Sequence, residues 1–135
     1  MLFRSELREC LEPSCEIWQA VSVRDRLPAA ATPGVDLTVF DGYAEGRRGG
    51  TGRTFDWSLL ERGGVPYPYG LAGGLSPQNV AHAAQYGARI LDVCSGVESS
   101  PGCKEAGLVN AFLRARRSSM RRASQNGSRE MERVA

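Results

Sequence analysis

Two turns in the second half of the chain have the composition of a phosphate-binding site. Gly73 and Gly74 end the apolar run in "LAGGLSPQNV" and are followed at once by a helix-like segment. Ser95 and Gly96 end a second apolar run, "RILDVCSG", in the same way. Backbone N–H groups at such turns bind phosphate dianions, because no side chain keeps the anion away. A simple change of chain direction explains either turn alone, so the phosphate prediction depends on their repetition.

An acidic residue ends an earlier apolar run and is the candidate for proton transfer. Asp41 closes "VDLTVFD" and alternates with Leu37 and Val39, so the three side chains share one face of a strand. A carboxyl group at the mouth of an apolar face can have a raised pKa, which suits a general acid. The residues alone leave this role and a turn-capping role before Gly42 equally open.

The elements that must position these residues alternate along the chain. Strand patterns cover residues 15–23, 35–41, 67–74 and 89–96, and helix patterns cover 2–11, 55–63, 76–88 and 103–117. Apolar strands that alternate with helices form parallel sheets with right-handed crossovers, so the predicted fold class is α/β. Such β/α units build either an open doubly wound sheet or a closed (β/α)8 barrel. In both, the chemistry lies at the carboxyl ends of the strands.

Local signals predict several element ends. Asp56 is the expected N-cap of the helix over 55–63, and Ser76, followed by Pro77, is the expected N-cap of the next helix. Gly87 follows the last turn of that second helix. Pro68 weakens the third strand, because proline removes a donor from the sheet ladder.

The composition is that of a globular protein. With 135 residues, 41% hydrophobic and 24% charged, the chain is long enough for one domain with its own core. No apolar run approaches the roughly 20 residues that span a bilayer, and the amino terminus does not look like a secretory signal. We therefore expect a cytoplasmic protein with no membrane partner. Four cysteines without a C-x-x-C pair and a single histidine predict reduced thiols and no metal site.

Positive charge is concentrated at the carboxyl end of the chain. The net charge is only +2, but seven arginines follow Leu113, against Glu130 and Glu132. Few apolar residues accompany them, which predicts a disordered tail over 118–135 after a domain over 1–117. A basic arm can bind nucleic acid, but no aromatic residue is interleaved for base stacking, so we favour a solvated tail.

Three motifs together resemble one enzyme family. "GGTGRTFDW" (49–57), "LAGGLSPQNV" (71–80) and "DVCSGVESSPGCKE" (92–105) are similar, in order and spacing, to phosphoribosylanthranilate isomerase. The resemblance covers residues 16–117 and implies that the four strands correspond to strands five to eight of a TIM-type (β/α)8 barrel. The family converts N-(5-phosphoribosyl)anthranilate into 1-(2-carboxyphenylamino)-1-deoxyribulose 5-phosphate in tryptophan biosynthesis, without a cofactor.

The resemblance implies roles for the candidate residues. Asp41 matches the acid that protonates the ribose ring oxygen, after which the ring opens to an imine and a base removes a carbon-bound proton. The substrate phosphate site matches Gly73, Gly74, Ser95 and Gly96. Asp92 matches an acidic position of the family and Arg53 a basic one. For each of them, substrate contact and a structural role are both open. No function is assigned to His82, and Glu98 and Lys104 are expected to be solvated or to cap a helix.

The resemblance covers only half of the family's pattern. The family's general base is a cysteine on the first strand, and the first four strands have no match here. None of the four cysteines stands in the motif of that base. We therefore expect a fragment, or a half-barrel that pairs with a complementary half-barrel or with a second copy. The alternative function is a non-catalytic half-barrel that binds a phosphate ligand.

Overall fold

The structure is a computed structural model and describes residues 3–42, 54–61 and 65–133. Its α-helices are α1 (Phe3–Cys10), α2 (Val80–Ala83) and α3 (Ala106–Arg133). Its strands are β1 (Trp18–Val23), β2 (Leu37–Gly42), β3 (Tyr69–Leu71), β4 (Ile90–Leu91), β5 (Glu98–Ser100) and β6 (Cys103–Lys104). Short 3₁₀ helices lie at Trp57–Leu60, Ala84–Tyr86 and Ser95–Val97.

A four-stranded parallel sheet forms the centre of the fold. Its strand order, β1-β2-β3-β4, follows the chain, so each crossover adds a strand to the same edge. The predicted α/β class with a parallel sheet is therefore confirmed. Paired residues of parallel strands face the same side, so the register sets Ala20 beside Val39 and Ser22 beside Asp41.

The hydrophobic core lies on one face of this sheet. Phe40 is fully buried, and its ring centroid lies 5.7 Å from that of Tyr69 and 6.4 Å from that of Phe55. Val80 of α2 and Phe112 of α3 belong to the same buried cluster, so the helices cover this face. Truncating such a buried aromatic costs about 3–5 kcal/mol, out of the about 5–15 kcal/mol that stabilise a typical domain.

The opposite face of the sheet, here called the open face, carries exposed side chains. On β1 the alternate residues Trp18, Ala20 and Ser22 are exposed, and Trp18 keeps 51% of its accessible surface. By register, Leu37, Val39 and Asp41 of β2 all lie on this open face, where Leu37 is buried and Val39 and Asp41 are half-buried. The predicted alternation is therefore confirmed, and Asp41 stands at the carboxyl end of the face.

The region after β4 differs from the predicted strand. β4 covers only Ile90–Leu91, and the chain then forms the 3₁₀ helix at Ser95–Val97 and the antiparallel β5–β6 hairpin. Pro101 and Gly102 connect the two hairpin strands, and Gly102 has a φ of +80°, which suits a proline–glycine turn. The alternation of strand and helix patterns does not predict this hairpin.

Helix ends agree with the sequence at two of three positions. Asp56 is an N-cap as predicted, since its Oδ1 accepts a hydrogen bond from the Ser58 N–H at 3.0 Å. Gly87 ends the second helical segment with a φ of +75°. The α-helix α2, however, begins at Val80 and not directly after Ser76. The Val80 N–H still donates to the Ser76 carbonyl at 3.0 Å, so helical hydrogen bonding reaches back to the predicted residue.

The described part of the carboxyl-terminal segment, residues 118–133, is helical, whereas the sequence predicts disorder over 118–135, of which 134–135 lie outside the described residues. Helix α3 runs from Ala106 to Arg133, so the predicted boundary at residue 117 falls inside one helix. The segment holds good helix formers and no proline, and each residue added to an existing helix gains a backbone hydrogen bond. Among the helices of the described residues, α3 included, none has an apolar stretch of membrane-spanning length.

Candidate functional site

Asp41 and Asp92 lie in one layer at the carboxyl end of the open face. The parallel ladder continues one residue past β3 and β4, because the Ala72 N–H donates to Phe40 O and the Asp92 N–H to Leu71 O, both at 2.8 Å. Asp41, Ala72 and Asp92 are therefore neighbours on successive strands. The structure thus brings together the two acidic residues that the sequence singles out.

The environment of Asp41 shifts its carboxyl group towards the protonated form. The side chain is half-buried, and this burial raises the pKa of its carboxyl group above the ordinary value of 3.8. A hydrogen bond from the Gly42 N–H opposes the shift, and the negative charge of Asp92 adds to it. Burial is the largest of these effects, and a carboxyl group of this kind can hold a proton for transfer to a substrate.

The Gly73-Gly74 turn has a backbone that only glycine adopts easily. Gly73 has a φ of +78° and Gly74 a φ of +66°, both in the left-handed region. The turn follows Ala72, which continues the β3 ladder, and leads towards α2. It therefore lies directly beyond the layer that holds Asp41.

The Ser95-Gly96 turn packs against the segment that follows the first turn. Ser95–Val97 form a 3₁₀ helix, and a Cβ placed on Gly96 would lie 1.9 Å from the carbonyl oxygen of Leu75. Leu75 directly follows Gly74. The structure thus brings together the two turns that the sequence predicts as a phosphate cradle, and their contact is one of backbone against backbone.

Asn79 fixes the first turn, although it is not among the site residues predicted from the sequence. Its Oδ1 accepts a hydrogen bond from the Ser76 N–H at 2.8 Å, and its Nδ2 donates to the Gly74 carbonyl at 2.9 Å. Asn79 stands three residues after Ser76, the spacing at which a capping box places Glu or Gln. A search of the sequence for this capping-box spacing would identify Asn79.

Lys104 and Glu98 are predicted to be solvated or helix-capping, and the structure corrects this prediction. They form an ion pair beside the second turn, with Nζ and Oε1 2.6 Å apart. Lys104 is ten residues from Cys94, whose carbonyl it also contacts, and the unpredicted β5–β6 hairpin brings the two together. No local spacing rule would identify this contact.

The remaining candidates are Arg53, His82 and the four cysteines. Arg53 lies outside the described residues. His82 is exposed, and its ring stands 5.5 Å from that of Trp57 and 5.3 Å from that of Tyr86, centroid to centroid. The four cysteines are free thiols and exposed. Across the described ranges, no three acidic, histidine or cysteine side chains meet as a metal site.

Comparison with known proteins points to one family. A family model described as "PRAI: N-(5'phosphoribosyl)anthranilate (PRA) isomerase" matches residues 2–115. The "Tryptophan biosynthesis protein TrpCF" of Vibrio cholerae is 50% identical over 102 residues, which are 76% of this chain and 21% of that protein. The "N-(5'-phosphoribosyl)anthranilate isomerase" of Hyphomonas neptunium is 46% identical over 112 residues, which are 78% of this chain and 53% of that protein.

A solved structure agrees with these matches. The crystal structure of TrpF from Jonesia denitrificans aligns with a TM-score of 0.56 and 33% sequence identity, over 78% of this chain and 50% of that one. The chain therefore spans about half or less of the length of these relatives.

Proposed function

The chain belongs to the N-(5'-phosphoribosyl)anthranilate isomerase family, and on that basis we propose that it carries the general acid and the phosphate cradle of such an isomerase in tryptophan biosynthesis. The substrate is a phosphorylated sugar joined to anthranilate, and the reaction is the Amadori rearrangement of an aminoaldose to an aminoketose. One observation carries the proposal. The half-buried Asp41 stands at the carboxyl end of the open face, in the layer from which both turns emerge.

Asp41 is the proposed general acid. It protonates the ring oxygen of the ribose, the ring opens to an imine, and a base then removes a proton from the neighbouring carbon. Its raised pKa, caused mainly by burial, increases the protonated fraction available for the first step. Such general acids contribute about 10²–10⁴-fold to a rate. Asp92 supports this role, because its charge raises the pKa of Asp41 further.

The two adjoining turns are the proposed cradle for the substrate phosphate. Backbone N–H groups of Gly73, Gly74, Ser95 and Gly96 donate to the phosphate oxygens. The contact of Gly96 with Leu75 supports this role, because it holds the two sets of donors next to each other. Fixed backbone donors need little reorganisation when the anion binds, which favours affinity.

The general base is proposed to come from polypeptide outside these 135 residues. We assign β1 to β4 to strands five to eight of a (β/α)8 barrel, whose first strand carries the family's cysteine base. A complementary half-barrel is the favoured partner. A homodimer would set two Asp41 and two Asp92 carboxylates at one end of a barrel, where they repel each other, and would supply no such base.

Complementation tests the catalytic proposal. The chain is mixed with a separately produced amino-terminal half of the Hyphomonas neptunium isomerase, and turnover is followed as loss of phosphoribosylanthranilate fluorescence. We expect a near-background rate for the chain alone and measurable turnover for the mixture. Asp41→Asn in the mixture should abolish turnover while co-elution on size exclusion shows that the halves still assemble.

Three outcomes would contradict the proposal. Equal turnover with Asp41→Asn would mean that another group is the acid. Turnover by the chain alone would mean that it forms a working homodimer with a different base. An assembled mixture that binds phosphate without turnover would favour the alternative, a non-catalytic half-barrel that binds a phosphate ligand.

A binding experiment tests the cradle separately. Inorganic phosphate is titrated into the ¹⁵N-labelled chain, and the amide signals of Gly73 and Gly96 should shift together. Gly74→Asp places a side chain and a negative charge in the cradle, so it should abolish these shifts. Unchanged binding by that variant would exclude the cradle as the site.

A further inference from the structure

Lys104 is the only lysine in the chain and lies beside the Ser95-Gly96 turn. Its Nζ donates to the Cys94 carbonyl at 2.8 Å and to Glu98 Oε1 at 2.6 Å, and it lies 3.3 Å from Cys94 Sγ. Cys94 directly precedes the Ser95–Val97 3₁₀ helix, and Glu98 directly follows it. One ammonium group therefore joins the start of this turn to its end.

The contacts of Lys104 with Cys94 and Glu98 are here called the clamp, and Glu98 extends this clamp to the hairpin. Its Oε2 accepts a hydrogen bond from the Gly102 N–H at 3.2 Å, and only 12% of its side chain is exposed. The hydrogen bond from Lys104 is the main reason that the pKa of Glu98 is lowered, so the pair is ionised near neutral pH. The carboxylate thus ties the turn to the tip of the β5–β6 hairpin.

Lys104 and the first turn hold different residues of the second turn. Gly96 is confined by the Leu75 carbonyl, while Lys104 holds Cys94 and Glu98, the residues that flank the 3₁₀ helix. Val97, inside the turn, is 3% exposed, and its carbonyl accepts from the Glu105 N–H at 2.9 Å. The direction of the Ser95 and Gly96 N–H groups is therefore set from both ends of the turn.

We propose that Lys104 is a positioning residue for the phosphate cradle, which it maintains by holding the Cys94 carbonyl and the Glu98 carboxylate around the Ser95-Gly96 turn. This inference rests on the proposed function. Lys104 acts here through the turn and not as a direct ligand of the anion, since its donors already have partners within the protein. Loss of either member of the ion pair then weakens phosphate binding.

Paired variants separate positioning from direct contact. Lys104→Met and Glu98→Gln are titrated with inorganic phosphate, and the amide shifts of Gly73 and Gly96 give Kd. Loss of charge-assisted hydrogen bonds should raise Kd about tenfold in both variants. If Lys104 bound the anion directly, Glu98→Gln would free its charge and strengthen binding. That result would overturn the positioning role, as would an unchanged Kd in Lys104→Met.

A matched control and a second perturbation complete the test. Arg89→Met also removes an ion-paired cation, at the amino end of the sheet, and should leave Kd unchanged. Reductive dimethylation of the folded protein keeps the charge of Lys104 but removes two of its three donors, so it should weaken binding even if Lys104→Met fails to fold. Methylation that leaves Kd unchanged would overturn the proposal.

The wild-type titration distinguishes this inference from the proposed function. If wild-type protein gives no phosphate-dependent shifts at Gly73 and Gly96, the cradle itself is wrong. If wild-type protein binds and the Lys104 and Glu98 variants bind equally well, the cradle stands and only the positioning role fails.

Discussion

Arg89 and Glu16 form an ion pair that spans the sheet from edge to edge. The Nη2 atom of Arg89 lies 2.6 Å from Glu16 Oε1. Arg89 directly precedes β4 and Glu16 lies two residues before β1, and β1 and β4 are separated by two strands with a spacing of about 4.8 Å per step. Trp18 donates through Nε1 to the other Glu16 oxygen at 2.8 Å. These contacts brace the amino end of the sheet.

Removing this brace should lower stability in a pH-dependent way. Hydrogen bonds from Arg89 and Trp18 lower the pKa of Glu16 from 4.5. The contribution of these contacts to folding stability is therefore present above pH 4.5, and it is lost as the pH falls through the lower pKa of the folded state. We expect Arg89→Met to reduce the urea midpoint at pH 7, by much less than Phe40→Ala does, and the reduction to shrink in acid. The same reduction at both pH values, or in a Glu16→Gln background, would contradict this account.

Asp41→Asn should stabilise the protein at neutral pH. The folded-state pKa of Asp41 is raised above 3.8, so folding favours its protonated form. The stability of the wild-type protein relative to Asp41→Asn is therefore highest below pH 3.8, and it is lost as the pH rises through the folded-state pKa of Asp41. The advantage of Asp41→Asn in urea denaturation should therefore be absent in acid, grow with pH and then level off. A destabilised variant at pH 7 would show that the ionised carboxylate makes a structural contact.

Gly96→Ala should disrupt the contact between the two turns. Its Cβ would lie 1.9 Å from the Leu75 carbonyl oxygen, so one turn must move. Forced overpacking costs about 1–3 kcal/mol, and phosphate binding should be lost as well. Gly34→Ala is the control: its φ of +77° makes alanine unfavourable, but nothing lies within 4 Å of the new Cβ. Gly34→Ala should lower the melting temperature and leave phosphate binding intact.

Asn79→Ala should loosen the first turn. It removes two hydrogen bonds, to the Ser76 N–H and to the Gly74 carbonyl, each worth about 0.5–1.5 kcal/mol. Asn79→Asp keeps the acceptor and loses the donor, so its effect should be intermediate. Hydrogen exchange at the Ser76 amide reports the first bond directly: exchange should be fast in Asn79→Ala and slow in Asn79→Asp. Equal protection in all three proteins would exclude this role.

Truncation after Arg117 should reduce the helical circular-dichroism signal. Residues 118–133 make up more than half of α3, so the loss of ellipticity should correspond to helix and not to coil. Near-ultraviolet signals from Trp57 should stay unchanged, because Phe112 and the rest of the packed segment remain. Ellipticity that does not fall would mean that the tail is disordered in solution, as its composition suggests.

Features that depend on a single strand or turn are predictable from this sequence. Asp41 could be placed on the open face because strand alternation fixes its side, and Gly73 and Gly74 because glycine pairs mark left-handed turns. Lys104 could not be placed, since its partner Cys94 is reached through a hairpin whose strands are two and three residues long. The helix beyond Arg117 is not predicted for another reason. Composition indicates whether a segment can be buried in a core, whereas an existing helix extends by backbone hydrogen bonding alone.

The contact between Gly96 and Leu75 also affects how genes for such proteins can recombine. A crossover between the segments encoding β3 and β4 joins a turn from one parent to a turn from another, at a point without space for a methyl group. Any small difference in backbone path then becomes a steric conflict in the chimaera. Productive exchanges should therefore keep the pair of β/α units together, so the smallest inheritable module here is two units and not one.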